Sequence, residues 1–191
     1  MADRALMVPK MTYKEYRFFK VFLAQNTSAL YLESGSGGST LIAERLGMQL
    51  HAYETAAGYA YYMNNLLKAP RVNHIPIGKT AKYGRPVEKT LKNADLISGV
   101  FDGHLKKNSD AHSVVFLDGR CRVLTALRIH SILGDNDTVF IHDFHRPNYQ
   151  DVLQAYEMID RADNLVLLRK SNHISKDQIQ ALTDKYQLDF E

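Results

Sequence analysis

Residues 29–40, Ala-Leu-Tyr-Leu-Glu33-Ser34-Gly35-Ser36-Gly37-Gly38-Ser39-Thr40, end an apolar run in an acidic residue and then place three glycines within four positions. An amphipathic segment containing Leu41, Ile42, Leu46 and Met48 follows at once. Apolar run, glycine turn, helix: in that order a chain can lay a nucleotide-like ligand over a tight turn. Glycine is needed there because a side chain would hold the backbone away from the ligand, and because such turns use positive φ. Glu54 closes the next apolar run, Leu50-His51-Ala52-Tyr53, 19 residues beyond Gly35. A carboxylate about 20 residues downstream of the turn is where a ribose diol would be gripped. The two features predict an adenosine-containing ligand.

Three ligand classes use a glycine turn, and the residues rank them. Dinucleotide sites want G-x-G-x-x-G, but Thr40 occupies the third glycine position. Phosphate-binding loops want G-x-x-x-x-G-K-[ST]. Gly78-Lys79-Thr80 supplies the end of that motif, yet Asn73 stands where its first glycine belongs. The third class, S-adenosylmethionine, takes an acidic-x-Gly-x-Gly turn, and Glu33-Ser34-Gly35-Ser36-Gly37 matches that register. Glu33, Gly35, Ser36, Gly37 and Glu54 are therefore the expected cofactor-binding residues. A glycine turn without a ligand is the bland alternative.

A second set of reactive side chains ends two later apolar runs, Ser113-Val-Val-Phe-Leu-Asp118 and Thr138-Val-Phe-Ile-His142-Asp143. Aspartate and histidine at such places suit general-base work on an acceptor or the holding of a divalent cation. Each Asp has a plainer alternative, in a helix cap or a loop.

The elements that must position these groups alternate along the chain. Strands are predicted near 28–34, 49–54, 71–77, 113–118, 138–143 and 164–169. Helices are predicted over 13–23, 40–47, 55–68, 121–133 and 150–161, with a terminal helix within 175–191. Such alternation argues an α/β fold, Rossmann-like and doubly wound, with a mostly parallel sheet of six or seven strands and helices on both faces. Ligands of such sheets bind beyond the carboxyl ends of the strands, where strand order reverses. An order 3-2-1-4-5 would bring the glycine turn, Asp118-Gly119-Arg120 and His142-Asp143 to one edge. The stretch 78–112, rich in Gly, Lys, Asn and Asp, reads as an irregular insertion placed to act as a lid or acceptor wall.

Composition bounds the rest. The 191 residues are most simply one domain, 1–191, with 45% hydrophobic and 24% charged residues. One cysteine, Cys121, excludes an internal disulfide and suits a reducing, cytoplasmic setting. No stretch has the length of a membrane span, and Met1-Ala2-Asp3-Arg4 lacks the apolar segment of a signal peptide. A net charge of +3 without a basic stripe argues against a nucleic-acid partner.

The run Leu32–Thr40 resembles the first motif of class I S-adenosylmethionine-dependent methyltransferases. Ile77-Gly78-Lys79-Thr80-Ala81-Lys82-Tyr83-Gly84-Arg85-Pro86 and Leu117-Asp118-Gly119-Arg120-Cys121-Arg122 are similar to Ile-Gly-x-Thr-x-x-x-Gly-x-Pro and Asp-Gly-Arg-x-Arg segments of a small branch of that superfamily. That branch has bacterial members and is broadly like plant enzymes that methylate cell-wall sugars. The resemblance spans roughly residues 28–145, and the last strands look short beside the usual seven. It implies an O-methyltransferase acting on a hydroxyl of a sugar, glycan or other small molecule, with S-adenosylmethionine as cofactor.

On that basis Asp118, His142 and Asp143 are the expected catalytic residues, with Asp118 also touching the cofactor. Arg120, His145, Tyr83 and Arg85 are expected at the acceptor, and Arg122 and Arg146 are further cations able to grip an anion. Asp118 and Asp143 together are the expected ligands if Mg2+ or another divalent metal assists. Two alternatives stay open. One is a protein that binds S-adenosylmethionine but cleaves it, or takes NAD instead. The other is a non-catalytic module, fused to or associated with glycosyltransferases, in a glycan-synthesising assembly.

Overall fold

The computed structural model describes residues 8–107 and 112–191. The sequence 1–4 considered above for a leader lies outside the described residues. Seven strands form one sheet: β1 (Leu30–Ser34), β2 (Gln49–Glu54), β3 (Val72–His74), β4 (Ser113–Leu117), β5 (Thr138–Ile141), β6 (Tyr156–Ala162) and β7 (Leu165–Lys170). Their order is β3-β2-β1-β4-β5-β7-β6. The first five run parallel, β7 is antiparallel to β5, and β6 is antiparallel to β7. The sheet is therefore complete at seven strands rather than shortened at its end.

β1, β4 and β5 are buried along their whole length, as expected of strands covered on both faces. Successive side chains point to opposite faces. Leu30 and Leu32 of β1, Val115 and Leu117 of β4, and Val139 and Ile141 of β5 join one core with α4 (Leu91–Ser98), α6 (Arg122–His130) and α7 (Lys176–Tyr186). Tyr31, Val114, Phe116 and Phe140 face α1 (Tyr13–Gln25) and α2 (Gly38–Arg45) on the other side. There Phe19 packs against Phe116 and Phe140, with ring centroids 4.9 Å and 5.3 Å apart. α3 (Ala57–Leu66) closes a smaller core with β2 and β3 through Ala60, Met63, Ala52 and Val72. Among the described residues no helix is long and apolar enough to cross a membrane.

Two expectations about elements are corrected. The helix predicted over 150–161 is a 3-10 segment, Pro147–Gln154, followed by the edge strand β6. Five consecutive β6 residues, Glu157–Arg161, are exposed, so burial imposes no alternation that would distinguish a strand. The stretch 78–112 is not irregular throughout. It contains α4 and α5 (Asp102–Lys107), and Ala94, Ile97, Phe101 and Leu105 lie in the main core at three- and four-residue spacing. β3 is also shorter than the predicted 71–77, because Pro76 cannot donate to a ladder.

Candidate functional site

The carboxyl ends of β1, β2, β4 and β5 open onto one cavity of about 650 Å³, within the range of cofactor and small-molecule sites. The strand order places the glycine turn beside both the β2 and the β4 ends. Gly35, Ser36, Gly37, Glu54, Asp118, Arg120, His142, Asp143 and Tyr83 all border the cavity. Glu33, Arg85 and His145 do not.

The glycines do different jobs. Gly35 has φ +89°, and a Cβ on it would fall 2.6 Å from the Gly119 nitrogen, so it allows the β1 and β4 loops to touch. Gly37 is extended, with φ 178°, and a Cβ there would meet nothing within 4 Å. It is Gly37 that keeps the turn open to a ligand. Pro9 packs directly on Gly38, so residues 8–11 run across the same cavity.

Glu33 is fully buried, and its carboxyl accepts hydrogen bonds from the hydroxyls of Ser39 and Thr40, the latter at 2.6 Å. It ties β1 to the first turn of α2 and faces the interior. Burial pushes its pKa up to about 8, against the lowering effect of those hydroxyls. Glu54, at the tip of β2, accepts from the Ala56 amide at 2.9 Å and lies 3.4 Å from Ser36 Oγ. Burial raises its pKa, and the hydrogen bonds from Ala56, Thr55 and Ser36 oppose the rise. Beside it, Thr55 Oγ1 donates to the Gly84 carbonyl at 2.7 Å, docking residues 79–87 at the rim. Tyr83 projects from this loop in a left-handed conformation, φ 61°, with Lys10 and Lys82 nitrogens 5.1 Å and 4.8 Å from its ring centre.

At the β4 and β5 ends the acidic residues are already engaged. Arg122, buried at 3% exposure, forms an ion pair through Nη2 with Asp118 Oδ1 at 3.1 Å and donates from Nη1 to Asp143 Oδ2 at 3.1 Å. Its remaining donors reach the carbonyls of Gly119, Asp118 and His142. Arg122 is thus a brace between the two strand ends and is unavailable to an acceptor. Arg146 adds a contact to Asp143 Oδ2 at 2.9 Å. Burial raises the Asp143 pKa, but the charges of Arg122, His142 and Arg146 prevail and hold it below the usual carboxylate value.

His142 has a carboxylate at each ring nitrogen: Asp118 Oδ1 is 3.2 Å from Nδ1, and Glu15 Oε2 is 3.4 Å from Nε2. Burial lowers the imidazole pKa, while the Asp118 hydrogen bond and the charges of Asp118, Asp143 and Glu15 raise it further than burial lowers it. Both ring nitrogens thus already face carboxylates, and His142 could take a proton from an acceptor only by giving up one of those contacts. Glu15 was not anticipated: it belongs to the capping box of α1, accepting from Thr12 N at 2.7 Å, and its partner lies 127 positions away. The only local signal was the box itself, Thr12-Tyr-Lys-Glu15.

Ligand atoms of Asp118, His142 and Asp143 lie within 4.8 Å of one another, near enough to share a cation. The charges do not suit one. Both carboxylates already pair with Arg122, Asp143 also holds Arg146, and the His142 ring nitrogens face Asp118 and Glu15. A divalent ion would compete with two resident guanidinium groups, so the expected Asp118–Asp143 pair is a poor fit for a metal centre.

The other wall pairs the open Gly37 position with the Glu54 carboxylate, the turn and acid expected around an adenosine-containing ligand. No protein-family model matches the sequence, and no curated protein does. A methyltransferase-like protein from Silicibacter pomeroyi DSS-3, solved by crystallography, is similar with a TM-score of 0.79. The likeness covers 96% of this chain and 98% of that one at 22% sequence identity. The two share one α/β, Rossmann-like fold. Its sheet order and the cavity at the strand ends are the frame on which any function of this chain rests.

Proposed function

We propose that this protein is an S-adenosylmethionine-dependent O-methyltransferase acting on a sugar, glycan or other small molecule. The observation that carries the proposal is the pairing, on one cavity wall, of the open Gly37 position with the Glu54 carboxylate. Bound there, the cofactor would supply an electrophilic methyl group on a sulfonium. Glu54 would accept hydrogen bonds from the ribose diol, and Gly37 would let the backbone approach without a side chain between them.

The chain's own contribution to chemistry is positioning and proton handling. Asp118 lines the cavity with its side chain 31% exposed, and its Oδ1 is held by Arg122 and His142. Its second oxygen would orient an acceptor hydroxyl and take its proton. His142 and Arg122 stand behind Asp118 and fix its orientation, and Asp143 completes the brace through Arg122.

Calorimetry tests the proposal. The protein should bind S-adenosylhomocysteine, NAD should compete weakly, and Glu54→Ala should weaken binding by about 1.5–3 kcal/mol, the cost of losing a hydrogen bond to a charged group. Tight NAD binding with no affinity for S-adenosylhomocysteine would overturn it.

A further inference from the structure

Four guanidinium groups, Arg85, Arg120, Arg122 and Arg146, gather near the β4 and β5 ends. Three have anionic partners. Arg122 holds Asp118 and Asp143; Arg146 holds Asp143 and, at 3.4 Å, Glu191; Arg85 holds Glu191 at 2.7 Å. Arg120 differs. Among the described residues its guanidinium makes no hydrogen bond or ion pair, and its Nε is buried with no acceptor. It nevertheless lines the cavity, on the loop that follows Asp118. A buried donor of a charged group left unpaired is costly, and native structures carry few of them. Burial and the charges of Arg122 and Arg85 oppose the positive charge of Arg120, while Tyr149 and the nearby Glu191 carboxylate favour it. The opposing effects prevail, so an anion placed against it in the cavity would offset them.

We propose that Arg120 is the oxyanion-binding end of the acceptor site, so that the acceptor carries a carboxylate or phosphate. This rests on the methyltransferase proposal for the identity of the neighbouring ligand. A planar guanidinium matches the paired oxygens of either group, which an ammonium does not. The cofactor's own carboxylate has other positive polarity to meet: Lys10 lines the cavity, and the first amides of α2 follow Gly37. The adjacent Glu191 shows the preference of this cluster, since its side chain spans Arg85 and Arg146. The acceptor is therefore an acidic sugar or a phosphorylated small molecule rather than a neutral glycan.

The test is calorimetry on the full chain saturated with S-adenosylhomocysteine, titrated separately with glucuronate, inorganic pyrophosphate and neutral glucose. At least one oxyanion should bind saturably while glucose does not, and the one that binds tells a carboxylate acceptor from a phosphorylated one. Arg120→Gln should weaken that binding by about tenfold or more, and Arg120→Lys should retain part of it. Both variants should keep the S-adenosylhomocysteine affinity within about twofold. Oxyanion binding unchanged in Arg120→Gln, absent from the wild type, or matched by glucose would overturn the proposal. So would a parallel loss of S-adenosylhomocysteine affinity, which would assign Arg120 to the cofactor. If the wild type ignores S-adenosylhomocysteine yet binds pyrophosphate through Arg120, the methyltransferase proposal fails and the oxyanion site stands.

Discussion

Gly35 and Gly119 sit back to back, so close that a Cβ added to Gly35 would fall 2.6 Å from the Gly119 nitrogen and 2.7 Å from its Cα. The turn after β1 and the turn after β4 are thus packed directly against each other where both border the cavity. A Cβ added to Gly37, two residues on, would meet nothing within 4 Å.

The two glycines should accordingly fail differently. Gly35→Ala meets backbone and must hold φ +89°, so it should destabilise the fold by at least about 1–3 kcal/mol in chemical denaturation. Gly37→Leu should change stability by about 1 kcal/mol or less, because its backbone is extended and its surroundings open. It should abolish S-adenosylhomocysteine binding by filling the cavity. Stable, ligand-binding Gly37→Leu protein would place the ligand elsewhere.

Glu33 should make stability depend on pH in the alkaline direction. Its folded pKa is about 8 against an ordinary 4.5, so the native state keeps a proton that the unfolded chain releases. The contribution is fully present below pH 4.5 and is lost as pH rises through 8. Its size is on the order of 4 kcal/mol. Glu33→Gln should flatten that part of the profile, measured by urea titration at pH 5, 7 and 9. An unchanged slope in the variant would show that Glu33 ionises normally.

His142 acts in the same direction from pH 6.5 upward. Its pKa is raised above 6.5, so stability from the Glu15–His142–Asp118 chain is present below pH 6.5 and falls as pH passes the native value. Glu15→Ala removes the acceptor for Thr12 N and for Asn164 N as well as the contact to His142. It should cost about 2–4 kcal/mol and weaken the fall in stability above pH 6.5. The check is equilibrium denaturation across pH 5.5–8.5.

The sheet could be read from the sequence because its inner strands are short apolar runs closed by Glu33-Ser34, Glu54, Asp118 and His142-Asp143. β2 was bounded at Gln49–Glu54 from pattern alone. β6 was not legible, since an exposed edge strand needs no apolar alternation. α4 and α5 were obscured by Gly99, Gly103 and polar surface residues, although Ala94, Ile97, Phe101 and Leu105 carried a helical spacing. For the site, topology alone was enough to bring Gly37, Glu54, Asp118 and His142 together. The partners that set their chemistry were not legible. Arg122 reaches 21 residues to Asp143, and Glu15 reaches 127 to His142, and no local pattern encodes such contacts.

Charge at the β4–β5 edge leads to an outcome with chelators. Because Arg122 bridges Asp118 and Asp143, methyl transfer should be insensitive to EDTA and to added magnesium. Asp118→Asn should remove most activity while leaving S-adenosylhomocysteine affinity intact. Activity lost on chelation and restored by magnesium would show that the guanidinium yields to a metal.

The segment after β3 should divide into a dispensable and an indispensable part. Residues 79–87 close on themselves: Val87 N donates to the Lys79 carbonyl at 3.0 Å, and Ala81 N to the Arg85 carbonyl at 2.7 Å. Beneath them, Asn93 Nδ2 donates to the carbonyls of Ile77 at 3.2 Å and Glu88 at 2.8 Å, stapling the base of the loop independently of its tip. Joining Gly78 to Glu88 through a short Gly-Ser link should therefore keep the fold. It should spare S-adenosylhomocysteine binding and impair acceptor use, since Tyr83 and Gly84 form part of the cavity rim. Ile97→Ala, by contrast, opens a hole in the main core and should cost about 2–5 kcal/mol. Thermal unfolding and calorimetry on both variants separate the two roles. If the loop deletion unfolds the protein, or leaves acceptor kinetics untouched, residues 79–87 are scaffold rather than acceptor wall.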